Sequence, residues 1–301
     1  MRDDQRIGSR WTDSLELLFL RFAAGGMAPA KWFLPEVPPE ASRAARTGVL
    51  KIEIVSHCWN YAHFLVYQLS TLVLFPPTRA EVTMTVFYAH EDAGTRKLLS
   101  FFHDIRVPGV IWNWQALPKE KLFRRAIGRN QAALASAADW IWFTDCDVLF
   151  RKQCIDELAT LLQGRRDVLV YPNVERVTPL LTESDPILAN GGDANCRLLD
   201  IADAQFIEHK LTRATGPMQI THGDVARACG YCDSLKFYQR PAGHWCKAHE
   251  DRAFRWLLRS QGIGLDIPDV YRIRHLYKGR YKKHPLSAGL RGNIRRLASW
   301  L

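Results

Sequence analysis

The sequence has no apolar run of roughly 18 residues, the length that a membrane-spanning helix requires, so it predicts no transmembrane segment. The apolar stretch from Ser14 to Ala30 is interrupted by Glu16 and Arg21 and is preceded by acids, which does not fit a signal peptide. Cysteine also lacks the closely repeated spacing of a disulfide framework, and its total of seven is odd. These absences favour reduced thiols and a cytoplasmic protein.

Acidic residues are missing from residues 278–301, where seven Lys or Arg stand among apolar residues. This pattern predicts a basic amphipathic helix on an anionic membrane, which would make the protein peripheral on the inner face of that membrane. A solvated terminal helix is the alternative. The whole chain of 301 residues has a net charge of +10, which favours anionic partners such as phosphorylated substrates, acidic membranes or nucleic acid.

The N-terminal region, residues 1–48, is predicted to be a helix followed by a proline-rich linker. Apolar residues recur at helical spacing, at Leu15, Leu18, Phe19 and Phe22. We expect this apolar face to pack on the body of the protein, with membrane contact as the alternative. Prolines at positions 35, 38 and 39 then predict a stiff linker.

From residue 49 onward, strand patterns alternate with helical patterns. Strands are expected at 49–56, 82–89, 107–112 and 140–143, helices at 61–72, 96–103 and 119–138, and a long loop at 178–195. This alternation predicts an α/β fold with a mixed, mostly parallel central sheet flanked by helices. We expect one domain over residues 49–277, with a Rossmann-like, nucleotide-binding half at 49–150 and an acceptor half at 151–277.

Polar residues stand where three of these strands end, at Ser56 and His57, Glu91 and Asp92, and Asp145 and Asp147. Because ligands of such sheets bind beyond the carboxyl ends of the strands, their convergence predicts a nucleotide and metal site. Solvated turns would explain each pair separately, but not why the fourth strand ends in paired acids.

The turn Asp145-Cys146-Asp147 follows a strand, Trp140–Phe143, that is apolar on both faces. Two carboxylates in this position are costly unless a cation compensates their charge. The Asp-x-Asp spacing suits a hard ion, Mg²⁺ or Mn²⁺, that keeps positions open for phosphate oxygens. The alternative is a strand end with two solvated aspartates, since short motifs often match by chance.

Two further candidates come late in the chain. Glu250 and Asp251 open an amphipathic helix, where the helix dipole alone would favour acids, but where a carboxylate can also serve as a general base. His275 follows a short strand that begins at Val270, and it is a candidate metal ligand. A structural or solvated histidine is the alternative.

The order of these features resembles the GT-A glycosyltransferases, including family 2-like enzymes, over residues 49–283. The resemblance lies in Phe123-Arg124-Arg125-Ala126 about twenty residues before the Asp-x-Asp strand, in Trp245-x-x-x-His249-Glu250-Asp251, and in Arg272-x-x-His275 with trailing basic residues. The two later motifs are similar to the C-terminal region of galactosyltransferases and polypeptide N-acetylgalactosaminyltransferases.

This resemblance implies a metal-dependent enzyme of polysaccharide biosynthesis. It would move a sugar from UDP-Gal, UDP-GalNAc, UDP-Glc or UDP-GlcNAc to a hydroxyl of a saccharide or glycolipid acceptor. Asp145, Asp147 and His275 would hold Mn²⁺ or Mg²⁺. Asp251, or alternatively Glu250, would be the base of an inverting displacement. The residues implied to lie near the donor are Ser56, His57, Glu91, Asp92, Arg125, Arg129 and Asp145.

Two departures from the family leave the sugar and the acceptor open. Arg272 stands where related β-galactosyltransferases have Met, and the segment from His244 to Lys247 lacks the glycines of their acceptor turn. A retaining GT-A transferase is a second reading, although the retaining branch tends to have Asp-x-His instead of Asp-x-Asp.

Two other protein classes compete with this interpretation. Cys229, Cys232, His244 and His249 have a spacing close to that of a zinc module, which with the positive net charge would suggest nucleic-acid binding. Such a module would not need the large α/β sheet, so nucleic acid is the disfavoured partner. A nucleotidyltransferase would carry a glycine-rich loop after its first strand, and the segment from Ser56 to Asn60 contains no glycine.

Overall fold

The computed structural model describes residues 11–182, 184–192, 196–245 and 247–276, apart from the side chains of Trp11 and Thr12. The predicted basic tail, residues 278–301, lies outside this part of the chain.

The larger sheet has seven strands, which are β1 (Leu50–Cys58), β2 (Ala80–Tyr88), β3 (Val110–Ala116), β4 (Trp140–Phe143), β6 (Leu169–Pro172), β9 (Gln219–His222) and β10 (Ile263–Leu265). Their order is β10-β6-β9-β4-β1-β2-β3. Only β9 runs antiparallel to its neighbours, β4 and β6. The prediction of a mixed, mostly parallel sheet is therefore confirmed, and β1 and β4 lie at its centre with almost entirely buried side chains.

A second sheet has four strands in the order β5-β11-β7-β8, formed by Val148–Phe150, Val270–Arg272, Val174–Val177 and Ile207–Lys210. Strand β5 begins directly after the Asp-x-Asp turn and pairs antiparallel with β11. The turn therefore lies where the chain passes from the first sheet to the second.

Ten α-helices accompany the sheets in the described residues: α1 (Trp11–Phe22), α2 (Ala62–Leu74), α3 (Ala93–His103), α4 (Lys119–Leu122), α5 (Arg125–Ala135), α6 (Cys154–Leu161), α7 (Pro186–Gly191), α8 (Gly223–Cys229), α9 (Lys236–Gln239) and α10 (Glu250–Leu257). Asp92 caps α3 by accepting a hydrogen bond from the Thr95 amide at 3.1 Å. None of the helices described here has the length and apolar character of a transmembrane span.

Two predictions of local structure need correction. The helix expected at 119–138 is broken between α4 and α5, because Arg124 has extended backbone angles (φ −108°, ψ 84°), and it ends at Ala135. The loop expected at 178–195 contains α7, which Asp185 caps and Pro186 begins.

Helix α1 does not pack through the face that the sequence predicts. Leu15, Leu18, Phe19 and Phe22 are 47–60% exposed, whereas Leu20 and Ala23 are 4% and 1% exposed and face the body. The expected inward packing of the apolar face is therefore wrong. Periodicity identified an apolar face, but Leu20 on the other side of α1 and Ala23 just after the helix make the contact.

Candidate active site

The Asp-x-Asp turn is held through its backbone. Gln68 on α2 donates hydrogen bonds from Nε2 to the carbonyl oxygens of Asp145 (2.9 Å) and Val148 (2.8 Å). Ser56 donates from Oγ to Gln68 Oε1 at 2.6 Å, which fixes the orientation of the amide. Both side chains, Gln68 on α2 and Ser56 on β1, are fully buried, so the turn has little freedom to move.

Asp145 is bound by two arginines of α5. Arg125 Nη1 donates to Asp145 Oδ1, and Arg129 Nη2 lies 3.2 Å from the same oxygen. Arg129 is fully buried and also donates to the Thr144 carbonyl at 3.1 Å and to the Tyr231 hydroxyl at 2.8 Å. The charge of Asp145 is thus compensated by guanidinium groups.

Asp147 faces His275 instead. Asp147 Oδ2 and His275 Nε2 are 3.9 Å apart, and the Ile273 amide donates to the Asp147 carbonyl at 2.9 Å. The imidazole packs against the rings of Tyr61 and Phe64, with centroids 5.7 and 4.3 Å away. Strand β11 therefore brings a histidine from late in the chain to the Asp147 side of the turn.

A carboxylate and an imidazole suit Mn²⁺, and also Mg²⁺, when phosphate oxygens and water complete the coordination. Asp147 and His275 fit such an ion. The three predicted ligands line the same small pocket, but the carboxylate of Asp145 is turned towards the arginines. No three His, Cys, Asp or Glu side chains of the described residues form a metal-binding group.

His57 lies beside this pair, at the end of β1. Its ring stacks on Phe87 with centroids 5.0 Å apart, and neither ring nitrogen has a hydrogen-bond partner in the structure described here. Burial, with the charges of Arg129 and Arg125, holds the pKa of His57 well below its usual value, so the imidazole is neutral. A Cβ on Gly128 would lie 2.3 Å from His57 Nε2, so α5 approaches this closely only because residue 128 is glycine.

The two acids of α10 differ in their surroundings. Glu250 is 5% exposed, and its Oε1 lies 3.0 Å from Arg125 Nε and 2.9 Å from Nη2. Burial raises the pKa of Glu250, but the charges of Arg125 and Arg129 outweigh it and lower the pKa overall. The Asp251 side chain is 30% exposed and pairs with Arg255 at 3.3 Å.

Arg125 is therefore the link between the two ends of the site, since it binds both Asp145 and Glu250. Sequence reasoning placed Arg125 near the donor but did not anticipate the link to α10. A small pocket next to it is lined by His57, Tyr61, Phe64, Arg125, the turn from Asp145 to Asp147, and His275.

Three predicted donor residues do not reach this cluster. Ser56 is fully buried behind the turn and bonds Gln68. Asp92 is occupied by the Thr95 side chain and amide and by the Asn60 amide, and Glu91 is exposed in the turn before α3. Ser56 and Asp92 are thus used to hold local structure in this conformation.

Sequence reasoning missed Gln68 and Tyr231. Gln68 is a polar residue within the apolar helix α2, and this is the signal that could have revealed it. Tyr231 stacks against Phe254 and donates to Gln219 Oε1 at 2.8 Å, and Gln219 donates to the Asp251 carbonyl at 3.1 Å. Nothing in the residues around Tyr231 distinguishes it from a core aromatic.

The zinc module is not supported. Cys229 Sγ lies 4.0 Å from the Glu36 carbonyl, and Cys232 Sγ lies 3.5 Å from the Glu250 carbonyl. With His244 and His249, these cysteines do not form a metal-binding group, although all four residues are described. Burial raises the pKa of both thiols, which favours the protonated form over a thiolate ligand.

A larger cavity of the described structure, about 430 Å³, lies elsewhere. It is lined by polar side chains of β1, β2 and β3 and by α5, and none of the predicted site residues contributes to it. The candidate site residues thus lie around the Asp-x-Asp turn and not in this larger cavity.

No protein-family model matches the chain, and no curated protein matches it. Among solved structures, it is similar to residues 1–349 of TarS from S. aureus in complex with UDP-GlcNAc (TM-score 0.46, 12% identity, 77% of this chain and 60% of that chain). It is also similar to the mannosyltransferase PcManGT from Pyrobaculum calidifontis in complex with GDP-Man and Mn²⁺ (TM-score 0.44, 17% identity, 90% of this chain and 71% of that chain).

The chain spans 57–60% of the length of the three TarS 1–349 structures that it resembles. With TM-scores below 0.5, these similarities carry no conclusion about activity, which has to rest on the site itself.

Proposed function

We propose that this protein is a metal-dependent glycosyltransferase of the GT-A type. It transfers a sugar from a nucleotide donor, UDP-Gal, UDP-GalNAc, UDP-Glc or UDP-GlcNAc, to a hydroxyl of a saccharide or glycolipid acceptor, with inversion. The observation that carries the proposal is Arg125, which joins the Asp-x-Asp turn to the first acid of α10. The Asp-x-Asp turn is therefore one side chain away from the start of α10, where the proposed base Asp251 follows Glu250.

The donor side has the groups that a pyrophosphate requires. Asp147 and His275 would hold Mn²⁺ or Mg²⁺, with Asp145 as a further ligand once its arginines turn to the donor. When bound, the cation neutralises charge on the departing nucleoside diphosphate. Arg125 and Arg129 supply positive charge beside the same turn, which favours the leaving group as its negative charge grows.

The acceptor side has two carboxylates with separate roles. Asp251 is the more exposed, and it would accept the proton of the acceptor hydroxyl as that oxygen bonds to the anomeric carbon. Glu250 is buried and ionised, and it positions Arg125. The acid held by Arg125 is thus the less suitable base, and the exposed one the more suitable.

The remaining assignments extend this proposal. The neutral imidazole of His57 lines the small pocket beside Arg125 and would contact the donor. Residues 49–150 would form the nucleotide-sugar half and 151–277 the acceptor half. The basic tail would hold the protein at the cytoplasmic face of a membrane during polysaccharide biosynthesis, where a lipid-linked acceptor is available.

A panel of UDP-sugars with Mn²⁺ tests the proposal. We expect release of UDP with at least one sugar, loss of this activity with EDTA, and its recovery on adding Mn²⁺. The anomeric configuration of the product, followed by NMR, decides between inversion and retention. If no nucleotide sugar tested is bound or turned over, the proposal is refuted.

A further inference from the structure

Exposed apolar side chains are concentrated near the start of the described chain. Of the thirteen large apolar residues that are highly exposed in the described structure, six lie between residues 15 and 32. These are Leu15, Leu18, Phe19, Phe22, Met27 and Trp32, which we call the N-terminal apolar face. Exposed apolar side chains concentrated in one segment of the chain are typical of a site of interaction.

This segment is fixed to the body and is not a loose arm. Phe33 packs on Trp256 of α10 with ring centroids 5.1 Å apart, and Trp256 Nε1 donates to the Ala28 carbonyl at 3.0 Å. Arg252 Nε donates to the Ala24 carbonyl at 3.2 Å. The N-terminal apolar face is therefore presented outwards by α10, the helix that begins with Glu250 and Asp251.

Positive charge surrounds the apolar residues. Arg21, Lys31, Lys247 and Arg252 are exposed, and none of them takes part in a salt bridge within the described structure. The charges of Lys247 and Arg21, after burial, lower the pKa of His249, so both lie close to the start of α10. Asp13 and Glu16 of α1 share one cation, Arg240, which offsets one of their two negative charges and leaves the four basic side chains in excess.

We propose that the N-terminal apolar face binds the surface of an anionic lipid bilayer. An amphipathic helix of this kind inserts its apolar residues between the acyl chains. The basic residues at its edge lie among the lipid headgroups. Anionic lipid is the occupant that matches these charges. A second copy of the chain, docked through the same face, would bring its Arg21 and Lys31 against those of the first and is disfavoured.

Membrane binding through this face is independent of any sugar transfer. Its consequence for the active site rests on the proposed function: α10 would lie against the membrane, so that Asp251 would meet acceptors that are anchored in lipid. This is a second contact besides the one predicted for the tail, and it uses different residues.

Co-sedimentation of the full chain with vesicles tests the proposal, with vesicles of phosphatidylcholine alone or mixed with phosphatidylglycerol. The test variant is F22S/M27S/W32S, whose three side chains are 60–79% exposed. The matched control is V49S/I111S/I207S, whose side chains are 60–64% exposed at other places on the surface. Thermal melts confirm that both variants are folded, and the tail is intact in each.

We expect the wild type and the control to bind the anionic vesicles, and the test variant to bind at least about tenfold more weakly. R21E/K31E is expected to weaken binding to anionic vesicles at low salt, an effect that fades as salt rises. Equal binding by the test variant and the wild type would overturn the proposal, because the tail alone would then suffice. A wild-type oligomer that binds no vesicles and that F22S/M27S/W32S dissociates would overturn it in favour of self-association. Neither result depends on whether a nucleotide sugar is turned over.

Discussion

The two acids of the Asp-x-Asp turn and the two acids of α10 are held in different ways. The carbonyls of Asp145 and Asp147 accept hydrogen bonds from Gln68 and from the Ile273 amide, so the backbone of the turn is fixed between two sheets. Glu250 and Asp251 are at the first turn of a helix, and their carboxylates are held by arginine side chains.

This difference indicates which end of the site is preorganised before substrate binds. Hydrogen bonds from the buried Gln68 side chain and from the Ile273 amide leave the Asp-x-Asp turn little room to adapt, and that suits the proposed metal and diphosphate, whose chemistry is constant. Arginine side chains can turn without moving the fold, so the α10 end can reorganise when substrate arrives. Arg125 binds an acid at each end, so a substitution of Arg125 would affect both ends.

The largest effect is expected for Asp147→Asn. Removing this carboxylate takes away a ligand of the proposed cation, and metal stabilisation of a leaving phosphate is worth several kcal/mol, so turnover should fall at least about 10³-fold. Isothermal titration of Mn²⁺ with UDP should show loss of metal-dependent nucleotide binding. Asp104→Asn, an exposed aspartate after α3, is the control and should leave both unchanged. Normal metal-dependent binding in Asp147→Asn would exclude this residue as a ligand.

Asp251→Asn is expected to act on the other end alone. The amide cannot accept the proton of the acceptor, so transfer should fall about 10²-fold or more, while the dissociation constant of the donor stays within about twofold. Equilibrium donor binding and single-turnover transfer measure these separately. Weak donor binding combined with a normal rate of transfer from the bound donor would contradict this assignment. It would show that α10 serves donor binding and the turn serves proton removal.

Glu250→Gln is expected to act mainly on stability. The mutation leaves Arg125 with a single carboxylate partner in a largely buried site, which should cost about 3 kcal/mol at neutral pH. Because the pKa of Glu250 is lowered by folding, its stabilisation is present above the unfolded value of about 4.3 and is lost as pH falls through the folded pKa.

The difference in unfolding free energy between the wild type and Glu250→Gln should therefore shrink at acid pH. Urea titrations at pH 7 and at pH values near 4 measure it. A difference that is constant over this range would show that the charge of Glu250 contributes nothing to the folded state.

The smallest effects are expected for substitutions of Gln68 and Ser56, the buried residues that hold the backbone of the Asp-x-Asp turn. Gln68→Leu leaves the carbonyls of Asp145 and Val148 and the hydroxyl of Ser56 without their partner, which should cost about 2–3 kcal/mol. Ser56→Ala removes one bond and should cost about 1 kcal/mol. In the double variant the effect of Ser56→Ala should largely vanish, as measured by a double-mutant cycle of urea unfolding. Full additivity would mean that the two residues do not act through each other.

The sequence predicted the position of the Asp-x-Asp turn better than the side-chain contacts around it. Apolar residues on both faces of β4 and paired acids after it follow directly from strand periodicity and the cost of buried charge. The sequence also pointed to His275, but it contains no signal that Asp145 would turn to Arg125 and Arg129, since that choice depends on side-chain packing across α5. The same limit explains why Ser56 and Asp92 were predicted to bind the donor. Their polar groups instead form hydrogen bonds with Gln68 and Thr95.

The sheet order also has a consequence for how the chain folds. Strand β9 lies between β4 and β6, although it follows them by some 80 and 50 residues in sequence. At a synthesis rate of about 5–20 residues per second, one edge of the apolar β4 stays unpaired for roughly 4–16 s after it is made. Unpaired apolar edges associate with other chains, so this interval is the period in which a nascent chain would depend most on chaperones. A fragment that ends near residue 150 would carry the same open edge permanently.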